Sequence, residues 1–206
     1  MSGLFITFEG VEGCGKSTQV ARLKDRISSK GYSVVVTREP GGTPISESIR
    51  AILLDPENGA LSQTTELLLY AAARAQHVDA LIRPQVEAGA VVICDRFADS
   101  TKAYQGAGRK IGPEVIGRLN EIATRGLRPD ITLLLDLPAE AGLARARQHG
   151  AFDRIEQEPL EFHRAVREAF LRIAGQEPGR VHTIDATQSE EAVAEAIWGH
   201  VEPRLP

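Results

Sequence analysis

The segment Gly10-Val11-Glu12-Gly13-Cys14-Gly15-Lys16-Ser17 fits the pattern GxxxxGKS, with the apolar run LFITFE (4–9) before it and a helical pattern (16–29) after it. Few short patterns constrain a fold as tightly. The glycines let the backbone curl so that successive N–H groups point inward at phosphate oxygens, and the helix that follows turns its positive end on the same spot. Lys16 would supply a charge for β and γ phosphates, and Ser17 a hydroxyl for Mg²⁺. A chance glycine-rich turn is the alternative, but the strand before, the helix after and all fixed positions filled argue against it.

The rest of the chain continues the alternation that this loop begins. SVVVT (33–37), AVVIC (90–94), ITLLLDL (131–137) and VHTIDA (181–186) are short, rich in β-branched residues and flanked by Gly, Asp and Pro, which favours strands. They are apolar almost throughout instead of alternating, so they suit a parallel sheet covered on both faces. Helices are expected at 16–29, where Val20, Leu23 and Ile27 recur, and at 44–54, where Ile45, Ile49, Ile52 and Leu53 line one face. A long helical stretch from 62 to 88 contains Pro84, which should kink or interrupt it. Further helices are expected at 113–125, 139–148, 159–174 and 189–201. The resulting fold class is α/β: a P-loop NTPase-type open five-stranded parallel sheet with helices on both faces, ligands lying at the carboxyl ends of the strands.

With 206 residues, 42% hydrophobic and 25% charged, the chain can bury one core, and residues 1–206 are expected to form a single domain. No apolar run approaches the roughly 20 residues that a membrane span needs. The start, MSGLFITFEG, lacks the basic n-region of a signal peptide. Two cysteines, Cys14 and Cys94, make a disulfide framework implausible and point to a reducing, cytoplasmic setting. A net charge of −4 argues against sequence-independent nucleic-acid binding, so any bound anion must be met by local clusters of Arg and Lys.

The loop alone leaves three classes open: a GTPase switch, a motor-type ATPase and a small-molecule kinase. Neither a DxxG turn nor an NKxD or TKxD motif is present, which weakens the first. Glu12 is informative, because a carboxylate facing phosphates at 4 Å would cost on the order of 1–4 kcal/mol. It makes better sense turned away, accepting a hydrogen bond from a hydroxyl of a second substrate; a solvated surface Glu is the alternative. Arg38 follows the second strand and Arg96 the third, and Arg74 lies on the long helix. Each alone could be a structural salt bridge. Together they carry more charge than ATP needs and match a second phosphorylated ligand. Arg145, Arg147 and Arg154 cluster between two expected helices around Gly150, as a closing flap would, although a basic helix end complementing the dipole would look the same.

GVEGCGKST, TREPGGT, YAAAR, DRFADS with AYQGAGR, and GAFDRIEQE together resemble the bacterial thymidylate kinases (dTMP kinases) in order and spacing, from Leu4 to about Ile197. The resemblance implies transfer of the γ-phosphate of ATP to dTMP, giving dTDP and ADP, with Mg²⁺ as cofactor and a homodimer as the assembly. A kinase for another nucleoside monophosphate on the same scaffold, or a noncatalytic nucleotide switch, are the alternatives. By resemblance the loop residues through Thr18 hold ATP, and Asp185, Ala186 and Thr187 cup adenine. Glu12 would meet the sugar 3′-hydroxyl, and Arg38 and Arg96 the dTMP phosphate beside Ser100. Tyr70 would stack on thymine while Arg74, Thr101 and Gln105 read the base, and Tyr104 would crowd the sugar 2′ position. Asp95 would join Ser17 in holding Mg²⁺. The lid, about 145–156, would supply the catalytic arginine, since the phosphate loop has none. Some relatives carry a further arginine where this chain has His149, so Arg147 is the first choice ahead of Arg145 and Arg154.

Other residues carry less. His77, His163, His182 and His200 show no metal-ligand spacing, Cys14 reads as a small spacer, and Trp198 as packing.

Overall fold

A computed structural model describes residues 3–149 and 153–206. Five strands, β1 (Leu4–Glu9), β2 (Val34–Arg38), β3 (Val91–Asp95), β4 (Ile131–Asp136) and β5 (Val181–Asp185), form one parallel sheet in the order β2-β3-β1-β4-β5. The order reverses at β1, so its carboxyl end opens into the crevice where ligands of such sheets bind. Both faces are covered, as the continuous apolar runs require. Leu4, Ile6 and Phe8 of β1 pack into a core with Val20, Leu23, Val166 and Ile197, whereas Phe5 packs on the other side with Val78, Ile82 and Phe97. The same period of two separates Val91 and Ile93 from Val92 and Cys94 in β3.

The helices are α1 (Lys16–Ser29), α2 (Pro44–Leu54), α3 (Gln63–His77), α4 (Arg83–Glu87), α5 (Ala98–Thr101), α6 (Pro113–Thr124), α7 (Ala139–Ala146), α8 (Leu160–Gln176) and α9 (Glu190–Val201). Thr43, Ser62 and Ser189 cap α2, α3 and α9 by accepting backbone N–H bonds from Ser46, Thr65 and Ala192. Among the described residues no side chain caps α1. Its N-cap is Gly15 and its first turn holds no acidic residue, so its N–H groups face the crevice unclaimed.

Several boundaries differ from the sequence expectation for physical reasons. β2 and β3 run one residue further than their apolar runs, because the ladder pairs Arg38 with Asp95 and backbone hydrogen bonds are indifferent to side-chain polarity. The expected helix over 62–88 is broken: α3 ends at His77, a wider π-helical turn spans Val78–Ile82, and α4 carries Pro84 in its first turn. The wider turn accommodates a ring that would strike the carbonyl four residues back and a nitrogen that cannot donate. α7 stops at Ala146, short of 148, and gives way to a 3₁₀ turn over Arg147–His149. Unanticipated from the sequence is the helical path of α5 and its π-helical continuation Lys102–Gly108, where Gly106, Gly108 and the polar Asp99, Ser100, Thr101, Lys102 and Gln105 hide any apolar period.

Candidate active site

The loop between β1 and α1 closes through positive φ at Gly13 (65°) and Gly15 (93°). Lys16 is almost fully buried and folds back over the loop, its Nζ donating to the carbonyls of Val11 (3.0 Å) and Gly10 (3.3 Å). α7 leans on this loop at contact distance. A methyl group on Gly13 would lie 2.1 Å from the Gly142 carbonyl oxygen, and one on Gly142 would lie 2.3 Å from that of Glu12. Neither position has room for a side chain.

Beside the loop, Arg96 sits at φ 69° in the left-handed region that non-glycine residues rarely enter. The turn is held from both sides. Arg96 N–H donates to the Phe8 carbonyl (2.8 Å), and Glu9 accepts from the backbone N–H groups of Phe97 (2.9 Å) and Ser100 (3.1 Å) and from the Ser100 hydroxyl. The guanidinium then reaches back, Nη1 donating to the Gly10 carbonyl (3.0 Å) and Nη2 to Glu12 Oε1 (3.2 Å), stacked 5.0 Å above the Tyr104 ring. The strained backbone and these bonds together aim one cation at the mouth of the phosphate loop.

Two carboxylates three residues apart on this strand and loop behave oppositely. Burial, reinforced by the charge of Asp99, pushes Glu9 up to about 7 despite its hydrogen bonds. Burial also opposes ionisation of Glu12, but the hydrogen bond from His163, the Arg96 charge and the bond from Tyr104 overcome it and hold Glu12 at about 2. Glu12 is 8% exposed, so of the two sequence readings the solvated one is excluded. Its Oε1 accepts from the Tyr104 hydroxyl, which burial keeps protonated, and its Oε2 from His163 Nδ1 at 3.2 Å.

Further in, Arg74 is 2% exposed and nearly saturated with acceptors. It donates to Glu39 (2.7 Å), Asn120 Oδ1 (2.7 Å), Thr101 Oγ1 (2.9 Å) and the Phe97 carbonyl (3.0 Å). Glu39 also bonds His77, whose other ring nitrogen meets Thr37. A second buried carboxylate, Glu66, gathers Gln105, Arg109 and Arg154.

A single cavity of about 560 Å³ connects these parts. Gly13, Gly15, Lys16, Ser17 and Thr18 line one end; Tyr70, Arg74, Thr101 and Gln105 line the other; Glu12, Asp95, Arg96, Ser100 and Tyr104 lie between. Ala146, Asp153, Ile155 and Glu156, which fall within the expected lid, also line the cavity. Residues 150–152 of that lid lie outside the described residues. Not every expected residue reaches the cavity. Arg38 is half exposed and pairs with Glu47 (3.0 Å) without lining it. Arg145 and Arg147 are exposed at the end of α7 and in the turn after it. Arg154 is buried, donating to the Leu53 carbonyl (2.8 Å) and paired with Glu66 at 2.6 Å. Asp185, Ala186 and Thr187 make an Asx turn at the end of β5, with Asp185 accepting from Thr187 N–H (2.9 Å), and do not line the cavity.

The sequence reading passed over Arg50, which lines the cavity, donates to the Pro40 carbonyl (2.8 Å), and is pushed down by burial and by Arg38. It also passed over Glu9, Glu39, Asn120 and His163. Glu9 left a detectable signal, a charge ending a largely apolar strand, and Glu39 stands inside the TREPGGT motif; Asn120 and His163 left none in local spacing.

Comparison with known proteins agrees with this geometry. The family model for thymidylate kinase matches residues 8–197. The chain is 54% identical over 210 residues to a thymidylate kinase of Geobacter sulfurreducens, covering 99% of each chain. It is 54% identical over 197 residues to one of Pseudomonas entomophila, covering 96% of this chain and 94% of that one. The crystal structure of thymidylate kinase from Ehrlichia chaffeensis superposes with a TM-score of 0.80 at 35% identity, covering 98% and 99% of the two chains. With the sheet order, the loop and the cavity all in agreement, the chain belongs to the thymidylate kinase family.

Proposed function

We infer that this chain is a dTMP kinase, transferring the γ-phosphate of ATP to dTMP to give dTDP and ADP. The observation that carries the inference is the one cavity with a phosphate loop at one end, a buried arginine floor at the other and Arg96 at the junction. Two anionic ligands entering from opposite ends would meet beside Arg96.

Phosphoryl transfer asks the protein for in-line positioning and cancellation of charge, with little covalent work. The attacking oxygen belongs to a phosphate that is already ionised, so no general base is required. On this reading Lys16 leaves the loop carbonyls for the β and γ oxygens, and the α1 N–H groups share that load. Arg96 aligns the acceptor phosphate, with Ser100 beside it and Arg38 and Arg50 on the flank. Glu12 takes the sugar 3′-hydroxyl, Tyr104 the 2′ face, and Tyr70, Arg74, Thr101 and Gln105 the base. Asp185, Ala186 and Thr187 are assigned to adenine. Arg147, with Arg145 and Arg154 as the other candidates, is assigned to the transferring phosphoryl group once the lid over 145–156 closes and excludes water.

Mg²⁺ is the proposed cofactor. Asp95 Oδ1 is buried with no hydrogen-bond partner among the described residues, and it shares the cavity with the Ser17 hydroxyl. Oxygen donors of this kind suit a hard cation completed by phosphate oxygens, and when bound it would neutralise β and γ charge.

We further propose one domain, a cytoplasmic location and a homodimer. Both cysteines are unpaired and buried, which suits a reducing compartment. Ile52, Leu68 and Ile122 are exposed on α2, α3 and α6, of which α2 and α6 each pack on α3, and a second copy would cover them. An ATP-coupled assay with a panel of monophosphates tests the activity. Turnover with dTMP but not CMP, AMP or GMP is expected; turnover only with another acceptor, or none that depends on acceptor, would overturn it.

A further inference from the structure

His163 lies in the first turn of α8 with its ring fully buried, and the reaction as described gives it no task. Its Nδ1 is 3.2 Å from Glu12 Oε2, while its Nε2 is buried with no partner among the described residues. The ring packs edge-on against Phe162, with centroids 5.4 Å apart. A ring nitrogen bonded to a carboxylate carries the proton, so Nδ1 is the donor. Burying a polar atom unpaired is costly, and such a residue needs a reason to be there.

The reason lies in how Glu12 is gripped. Tyr104 and Arg96 both donate to Oε1, and the terminal torsion of a glutamate is soft and roughly two-fold. Held only on that side, the carboxylate could swing to offer both oxygens to Arg96, the fork geometry that guanidinium prefers. Oε2 would then be occupied by the guanidinium and lost as an acceptor. His163 takes Oε2 and blocks that rotation. An oxygen with one donor still has an acceptor site left, and Glu12 lines the cavity.

We propose that His163 is a positioning residue that fixes Glu12 Oε2 as the acceptor for the 3′-hydroxyl of the incoming nucleotide. The proposal rests on the assignment of Glu12 to the sugar made above. Burial is the largest influence on Glu12, and the His163 bond is the largest of those that offset it, consistent with this role.

The test is to measure kcat and KM at saturating ATP for dTMP and for 3′-deoxythymidine monophosphate. His163→Phe keeps a ring against Phe162 and removes the donor; His163→Asn restores an N–H near the position of Nδ1. We expect His163→Phe to raise KM for dTMP about tenfold, the worth of one charge-assisted hydrogen bond, with the 3′-deoxy analogue changed less than about twofold. His163→Asn should recover most of the loss. If His163→Phe does not fold, His163→Gln, whose amide reaches past Oε2, should show the same selective loss. Equal loss on both nucleotides, or no loss on either, would overturn the proposal. So would a wild-type enzyme that binds dTMP and its 3′-deoxy analogue alike, since Glu12 would then not read that hydroxyl. A wild-type protein that phosphorylates no dTMP at all would instead refute the function itself.

Discussion

The two ends of the cavity are built on opposite plans. The end assigned to phosphate is one continuous stretch, Gly10 to Thr18, that offers backbone N–H groups and a single lysine. The end assigned to the acceptor is assembled from side chains brought together over long separations: Arg74 meets Glu39 across 35 residues and Asn120 across 46, and Glu12 meets His163 across 151. A backbone cradle tolerates many neighbours because its donors belong to no particular residue. A side-chain cradle places each donor by a second and third residue behind it, so its stability and its specificity share the same contacts.

That contrast can be broken by substitution, and the largest effect should come from the acceptor end. Glu39→Ala leaves Arg74 and His77 buried without their shared carboxylate, which should cost about 3–5 kcal/mol of stability, read from urea midpoints. Lys16→Ala should leave the midpoint within about 1 kcal/mol of the wild type, because it lines the cavity and water entering there can take over its bonds to the two loop carbonyls. Equal destabilisation by the two would erase the distinction. In activity the ends should converge: Lys16→Ala and Arg96→Ala should each lower kcat on the order of 10²–10³-fold with the fold retained. Near-normal kcat in either variant would remove it from the reaction.

A smaller effect sharpens the picture at the phosphate end. Gly142→Ala forces a methyl against the Glu12 carbonyl, and overpacking of this kind costs about 1–3 kcal/mol. It should weaken ATP binding, measured by calorimetry, more than dTMP binding. Weakening both equally would mean that the strain spreads past the loop. The smallest effect is in pH. Glu9 is raised in the folded state from 4.5 to about 7, so its contribution to stability is present below pH 4.5 and lost as pH rises through 7. Glu12 is lowered to about 2, so its contribution is present above pH 4.5 and lost as pH falls toward 2. Relative to Glu9→Gln, the wild type should lose on the order of 1 kcal/mol between pH 5 and 8. Relative to Glu12→Gln it should lose stability between pH 5 and 3. Parallel curves would show that the two carboxylates share one environment.

The same contrast explains what the sequence disclosed. The loop, the five strands and the bounds of α1 and α2 were legible because each depends on residues within one or two turns of chain. The α5 segment was not, since its helical path is imposed by Glu9 holding Phe97 and Ser100 from a strand some 90 residues away. At the site, the motifs brought out Arg74 and Arg96 as cations but not the groups that aim them. His163 was set aside because metal-ligand spacing was the only local pattern to test it against, whereas its partner lies on the first loop of the chain. Arg50 sits among the apolar positions of α2 and carries no mark of the cavity it lines.

The paired glycines at 13 and 142 have a mechanical corollary. With no atom to spare between them, and with Ala146 N only 3.2 Å from where a Gly13 side chain would begin, the stretch 142–146 is seated on the nucleotide cradle like a hinge plate screwed to its frame. If the proposed lid closes, its fulcrum would fall beyond Ala146, so that Arg145 would stay with the loop while Arg147 would move.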